Sequence, residues 1–113
     1  TFTNCIFWGA GGSVENEVVL NKKPGASFNA TFNNTLYKVK DNDPADGVFT
    51  GNKVKNLDPL FDSIDVAKNF FDFHLQKNAA SPALDKGVVT GFSVDLDGET
   101  RLGVPDLGCY EKQ

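Results

Sequence analysis

Apolar and polar positions alternate with a period of two along much of this chain, in runs long enough for single short strands. The clearest run is FFDFHLQ from Phe70 to Gln76, with Phe71, Phe73 and Leu75 on one face and Asp72, His74 and Gln76 on the other. This pattern predicts a strand with one buried side. Directly after it, Ser81 occupies an N-cap position, Pro82 the first helical position and Gly87 a stop with freedom for positive φ. These residues predict one short helical turn over residues 82–86.

The same reading extends along the chain. FTNCIFW (2–8) predicts a strand that is apolar on both sides, Cys5 and Phe7 facing one way and Ile6 and Trp8 the other, as in a sheet covered on both faces. GAGG (9–12) breaks it, EVVL (17–20) predicts a second short strand, and NKKPG (21–25) is a polar corner. SFNATF (27–32) alternates again, Asn33 and Asn34 predict a bend, and TLYKV carries the strand on through Val39. DNDPADG (41–47) is an acidic, turn-rich loop; beyond it, Val48 with Phe49, Val54 with Leu57, and Leu60 with Phe61 give short apolar patches. FSVDLDG (92–98) alternates with Phe92, Val94 and Leu96 on one face. Many short strands with glycine and asparagine corners predict an all-β fold. Strand–corner–strand units recur at roughly two to three dozen residues, the range of coiled solenoids.

Composition narrows the partners. At 113 residues the chain is expected to be a single domain (1–113), and 40% hydrophobic residues with ten Phe mark a folded one. A formal net charge of −4 argues against nucleic acid and against an anionic membrane surface, both of which require clustered cations. No run is long enough to span a bilayer as a helix. The chain opens directly in a strand-like run without Met, and the expectation is a piece of a longer precursor. Cys5 and Cys109 would close a loop of about 100 residues if bridged, worth on the order of 4.7 kcal/mol in the chain-entropy model. Two buried free thiols are the other reading, and the sequence leaves both open.

Six segments occur in an order that carries a resemblance: NCIFWG (4–9), DPLF (58–61), DFHLQ (72–76), SPALDKG (81–87), DLDGETR (95–101) and DLGCYE (106–111). Together they resemble the C-terminal section of secreted bacterial right-handed parallel β-helix proteins, the pectin-lyase-like group. The resemblance implies the last coils and C-terminal cap of a β-helix. It also implies preceding coils of the same parent chain as partner, and an extracellular, periplasmic or cell-surface location. Many members bind or degrade polysaccharide, so the parent is expected to be a polysaccharide lyase or glycoside hydrolase, or a binding protein. Catalytic residues of the group usually lie on earlier coils. This segment is therefore expected to be structural, with no catalysis of its own. Cys109 departs from the small residue usual at its position.

Individual residues support little chemistry. Asp95 and Asp97 could offer oxygens to calcium, but the later ligands of a calcium loop are missing, so an Asp-Gly turn bonding backbone amides is expected and no cofactor. Asp41, Asp43 and Asp46 read as a solvated corner, since a flexible loop cannot hold two carboxylates at the separation glycoside hydrolysis needs. Lys53 and Lys55 lie near that loop without forming a visible constellation. Arg101, the one arginine, is expected to fork onto Asp106 or Glu111. His74, the one histidine, lacks a Ser, Cys or second His at telling spacing, and no catalytic or metal residue is expected. The alternative to a structural role is carbohydrate binding through the polar-tipped aromatics Trp8, Tyr37 and Tyr110, or a share in a lyase or hydrolase site.

Overall fold

A computed structural model describes residues 1–112 and contains five strands: β1 (Phe2–Phe7), β2 (Ala30–Tyr37), β3 (Gly47–Lys55), β4 (Phe61–Asp65) and β5 (Phe70–Leu75). The first three form a parallel sheet in the order β1-β2-β3, and β4 and β5 form a separate antiparallel hairpin. The rest of the described chain is turns and irregular backbone, with one isolated bridge between Val94 and Thr100.

The parallel sheet is covered on both faces because its central strand changes side-chain parity halfway along. Asn34 adopts φ 53°, and the β2–β3 register shifts between Asn33 and Thr35. Phe32 and Tyr37, an odd number of residues apart, thereby reach the same face and cluster with Val18, Ala30 and Val39. Leu36 points the other way and packs with Leu75, Ala83 and Leu107. The register brings aromatic rings into a column: Phe32 stacks on Phe2 at 5.1 Å and on Phe49 at 4.5 Å between centroids, and Phe49 also stacks on Tyr37 at 4.6 Å.

Three sequence expectations need correction. The chain is all-β, but it is not a right-handed parallel β-helix: the parallel sheet stops at three open strands, and no closed or solenoid sheet forms among the described residues. The offsets show why. Phe2 lies against Phe32, thirty residues on, whereas Phe32 lies against Phe49, only seventeen on, so successive units do not repeat. Four residues, Val66 to Asn69, then connect β4 to β5, too few for a parallel crossover and suited to a hairpin. The expected helical turn at 82–86 is a non-helical turn, in which the Ser81 hydroxyl accepts from the Ala83 N–H at 3.1 Å and donates to the Pro59 carbonyl at 2.6 Å. Asp85, not Gly87, takes positive φ there, at 51°. Gly87 is required for space instead, because a Cβ would lie 2.7 Å from the Pro105 carbonyl oxygen. Finally, EVVL and FSVDLDG do not extend as strands: Val18 enters the core from irregular backbone, and Phe92, Val94 and Leu96 are exposed.

Candidate functional site

The outer edge of β1 is where the sheet is least finished. No strand other than β2 pairs with β1, although the Gly108 N–H donates to the Asn4 carbonyl at 2.8 Å, and Phe2 to Trp8 carry no charged side chain. The opposite edge strand, β3, carries Lys53 and Lys55, the kind of edge charge that discourages further strand pairing. Both lysines reach Asp43, at 3.9 and 3.0 Å, and Asp43 also accepts the Tyr37 hydroxyl at 2.7 Å. Burial pushes Asp43 upward, but the hydrogen bonds from Tyr37 and Lys55 and the two lysine charges outweigh it and hold the carboxyl below its ordinary value.

Three clefts meet along β1. One of about 730 Å³ is walled by Trp8, Leu60, Phe61, Phe71 and Phe73, with Asp58 and Gln76 among its polar groups. A second, of about 610 Å³, runs beside Thr3 to Trp8 and shares Phe61 and Phe73 with the first. A third, of about 460 Å³, continues past Asn4, Gly108 and Cys109 to Phe92, Val94 and Leu96. The hairpin was expected to bury Phe71 and Phe73; they are instead 44% and 45% exposed, and Phe2 is 45% exposed. Phe71 and Phe73 face the clefts, so the apolar side of β5 is a wall of the groove as well as part of a core, whereas Phe2 stacks on Phe32. The sequence signal was present as the alternation itself, which marks an apolar face without saying what covers it.

The three aromatics considered for sugar contact are not brought together. Trp8 is partly buried, lines the first two clefts and has the Lys38 ammonium 5.5 Å from its ring centroid. Tyr37 is fully buried, its ring stacked on Phe49. Tyr110 is partly buried and stacks on His74 at 3.8 Å between centroids.

The C-terminal segment is organised by carboxylates. Asp95 Oδ1 accepts the N–H groups of Asp97 and Glu99, and Oδ2 that of Glu111, each at 2.9 Å. Burial pushes its carboxyl up, but these three donors, with the Arg101 charge, outweigh burial and hold it below its ordinary value. Arg101 donates to Glu111 and, at 3.2 Å, to the Gly108 carbonyl. His74, without an evident partner in the sequence, lies between two carboxylates: Nδ1 is 2.5 Å from Asp72 and Nε2 2.8 Å from Asp97. Asp72 was legible as its neighbour on the same strand face; Asp97, on a distant turn, was not.

Cys5 and Cys109 are free, half-buried thiols that line the same cleft. Burial pushes both thiols up and away from the reactive thiolate, against a smaller opposing effect of a backbone hydrogen bond. Among the described residues no group of three or more His, Cys, Asp or Glu side chains is arranged to hold a metal ion, and no helix is long and apolar enough to cross a membrane. Comparison with protein-family models, with curated proteins and with solved structures finds no match in any of the three.

Proposed function

We propose that this chain is a structural, non-catalytic docking module whose β1 edge, beyond the Asn4 carbonyl that Gly108 occupies, accepts an extended, uncharged, apolar strand from a partner polypeptide. The observation that carries the reading is the contrast between the two edges of one sheet: β3 is guarded by lysines, whereas β1 is uncharged and bordered by half-exposed Phe2, Phe71 and Phe73. Strand addition supplies main-chain hydrogen bonds along the edge, and side-chain pockets on either side supply specificity. The guarded β3 edge also disfavours head-to-tail addition of a second copy, because its lysines would have to enter an apolar groove.

A peptide with the β2 sequence, ATFNNTLY, is a suitable probe because it carries no charged side chain and forms an extended strand in this fold. Addition of the peptide to the full chain is expected to protect β1 amides from exchange and to shift the Phe2 and Phe73 ring signals in NMR spectra. The variants Phe2→Lys and Phe73→Lys, both at exposed positions, are expected to weaken binding without loss of fold by circular dichroism. Absence of binding at millimolar peptide, or shifts centred on β3, would refute the reading.

A second reading is glycan contact in the first cleft, favoured by one observation: the Trp8 ring shares that cleft with the polar side chains of Asp58 and Gln76. It takes with it the extracellular, periplasmic or cell-surface setting expected from the sequence. Titration calorimetry against a panel of neutral and acidic oligosaccharides tests it, and an unchanged affinity in Trp8→Ala would remove it.

A further inference from the structure

We infer that His74 is a proton-operated clamp: as a cation it fastens the β4–β5 hairpin to the C-terminal segment, and on losing its proton it loosens that hold, because a neutral ring keeps at most one of its two carboxylate contacts. The inference stands independently of what occupies the β1 groove. Its basis is donor arithmetic. A neutral imidazole has one N–H donor and one bare nitrogen, and an ionised carboxylate has acceptors only. Both ring nitrogens of His74 face carboxylate oxygens, Asp72 at 2.5 Å and Asp97 at 2.8 Å. With both aspartates ionised, only the doubly protonated ring satisfies both contacts. The deprotonated ring would leave a nitrogen lone pair against a carboxylate, and that contact is repulsive.

The clamp joins separate parts of the chain. Asp72 and His74 belong to β5, whereas Asp97 lies in the turn that Asp95 organises, and Tyr110 stacks on the imidazole from the end of the chain. The turn and the chain end are linked to each other, since the Leu96 N–H donates to the Cys109 carbonyl and the Glu111 N–H to Asp95. Around the ring, Asp62 of β4, Lys77 beyond β5 and Glu111 line the same concavity as Asp72, His74 and Asp97. Four carboxylates against the Lys77 ammonium and the Arg101 guanidinium that pairs with Glu111 leave an excess of negative charge that favours the cationic ring. The hydrogen bonds that the ring donates to Asp97 and then to Asp72 outweigh partial desolvation and raise His74 above its ordinary value of 6.5, while the hydrogen bonds from His74 lower Asp72. The clamp is therefore fully closed below 6.5 and loosened as pH rises through the raised value. At the acid end it weakens as pH falls through the lowered value of Asp72.

The chain has one histidine, so its imidazole gives a single assignable titration by NMR. The expected result is a midpoint above 6.5 that falls in Asp97→Asn, each unit of the fall corresponding to about a tenfold weaker bias toward the protonated ring. After correction for intrinsic base catalysis, exchange at the His74 and Tyr110 amides is expected to speed up above that midpoint in the native chain. Unchanged protection at the Glu99 amide would show that the Asp97→Asn turn still folds. A midpoint at or below 6.5 overturns the clamp. So does a raised midpoint that Asp97→Asn leaves unmoved, because the proton would then be held within β5 alone.

Discussion

Four asparagines, Asn4, Asn34, Asn56 and Asn69, take left-handed backbone with φ between 53° and 58°. Asparagine tolerates this region better than other residues that carry a Cβ. Asn34 adds a second role, its Nδ2 donating 2.8 Å to the Lys86 carbonyl, while Asn4 both donates to and accepts from Val88. The two asparagines thus bind the segment 86–88 to the ends of their strands' first halves. Asn34→Ala is expected to cost about 2–3 kcal/mol, from left-handed strain together with loss of one of the two hydrogen bonds on the Lys86 carbonyl, which Asn52 still serves at 3.0 Å. Asn34→Gly, free of the strain, is expected to cost less, and urea unfolding of both variants measures the difference. Equal losses would place the whole effect in the hydrogen bond. The bend itself was legible in the sequence as the Asn33-Asn34 pair. At Gly87 the alternation and cap pattern pointed to positive φ, whereas the crowding that makes the glycine necessary comes from Pro105, which the sequence does not place beside it.

At the scale of elements, period-two alternation located the strands at 2–7, 30–37 and 70–75 but failed at 92–98. The difference is what lies alongside. β1 to β3 have neighbours to complete a ladder, whereas the backbone around Asp95 satisfies many of its donors with side-chain carboxylates. Asp95 serves three N–H groups, and Asp106 those of Asp85 and Lys112, both at 2.8 Å. Strand direction was equally hidden, since alternation is the same for parallel and antiparallel pairs and only the four-residue Val66–Asn69 link separates them. If carboxylates take the place of a ladder, the C-terminal segment is acid-sensitive. Asp95 has a lowered pKa in the folded chain, so its contribution is present above the ordinary carboxylate value and is lost as pH falls through the lowered one. Asp95→Ala is expected to expose the Glu99 and Glu111 amides to rapid exchange at neutral pH and to destabilise the chain by about 3 kcal/mol. Protection that survives the substitution would locate the support elsewhere.

At the scale of the whole molecule, the extents of 46 × 36 × 21 Å describe a flat body, and its apolar surface is unevenly spent. Six of the ten Phe are exposed, Phe92 as much as 79%. Three of those six, Phe2, Phe71 and Phe73, border the β1 edge, and Phe92 lines the cleft that continues from it. Isolated surface Phe residues are ordinary, but rings gathered along an edge with no neighbouring strand mark a surface that is built to be covered. The sequence showed both the quantity of Phe and the lack of charge in residues 2–8. It could not show that β1 ends the sheet, since that depends on which strands pair. The gathering has a measurable consequence. A dye such as anilinonaphthalene sulfonate, which fluoresces in apolar clefts, is expected to bind the native chain before any unfolding. Its signal is expected to fall in Phe73→Lys, which places an ammonium between two of the clefts, and to be unaffected by Lys at exposed Val19, which lines none of the three. Because an added cation attracts an anionic dye, a fall in Phe73→Lys can arise only from loss of apolar surface. A signal insensitive to Phe73 but abolished by Val19→Lys would move the uncovered face away from β1, and the docking edge with it.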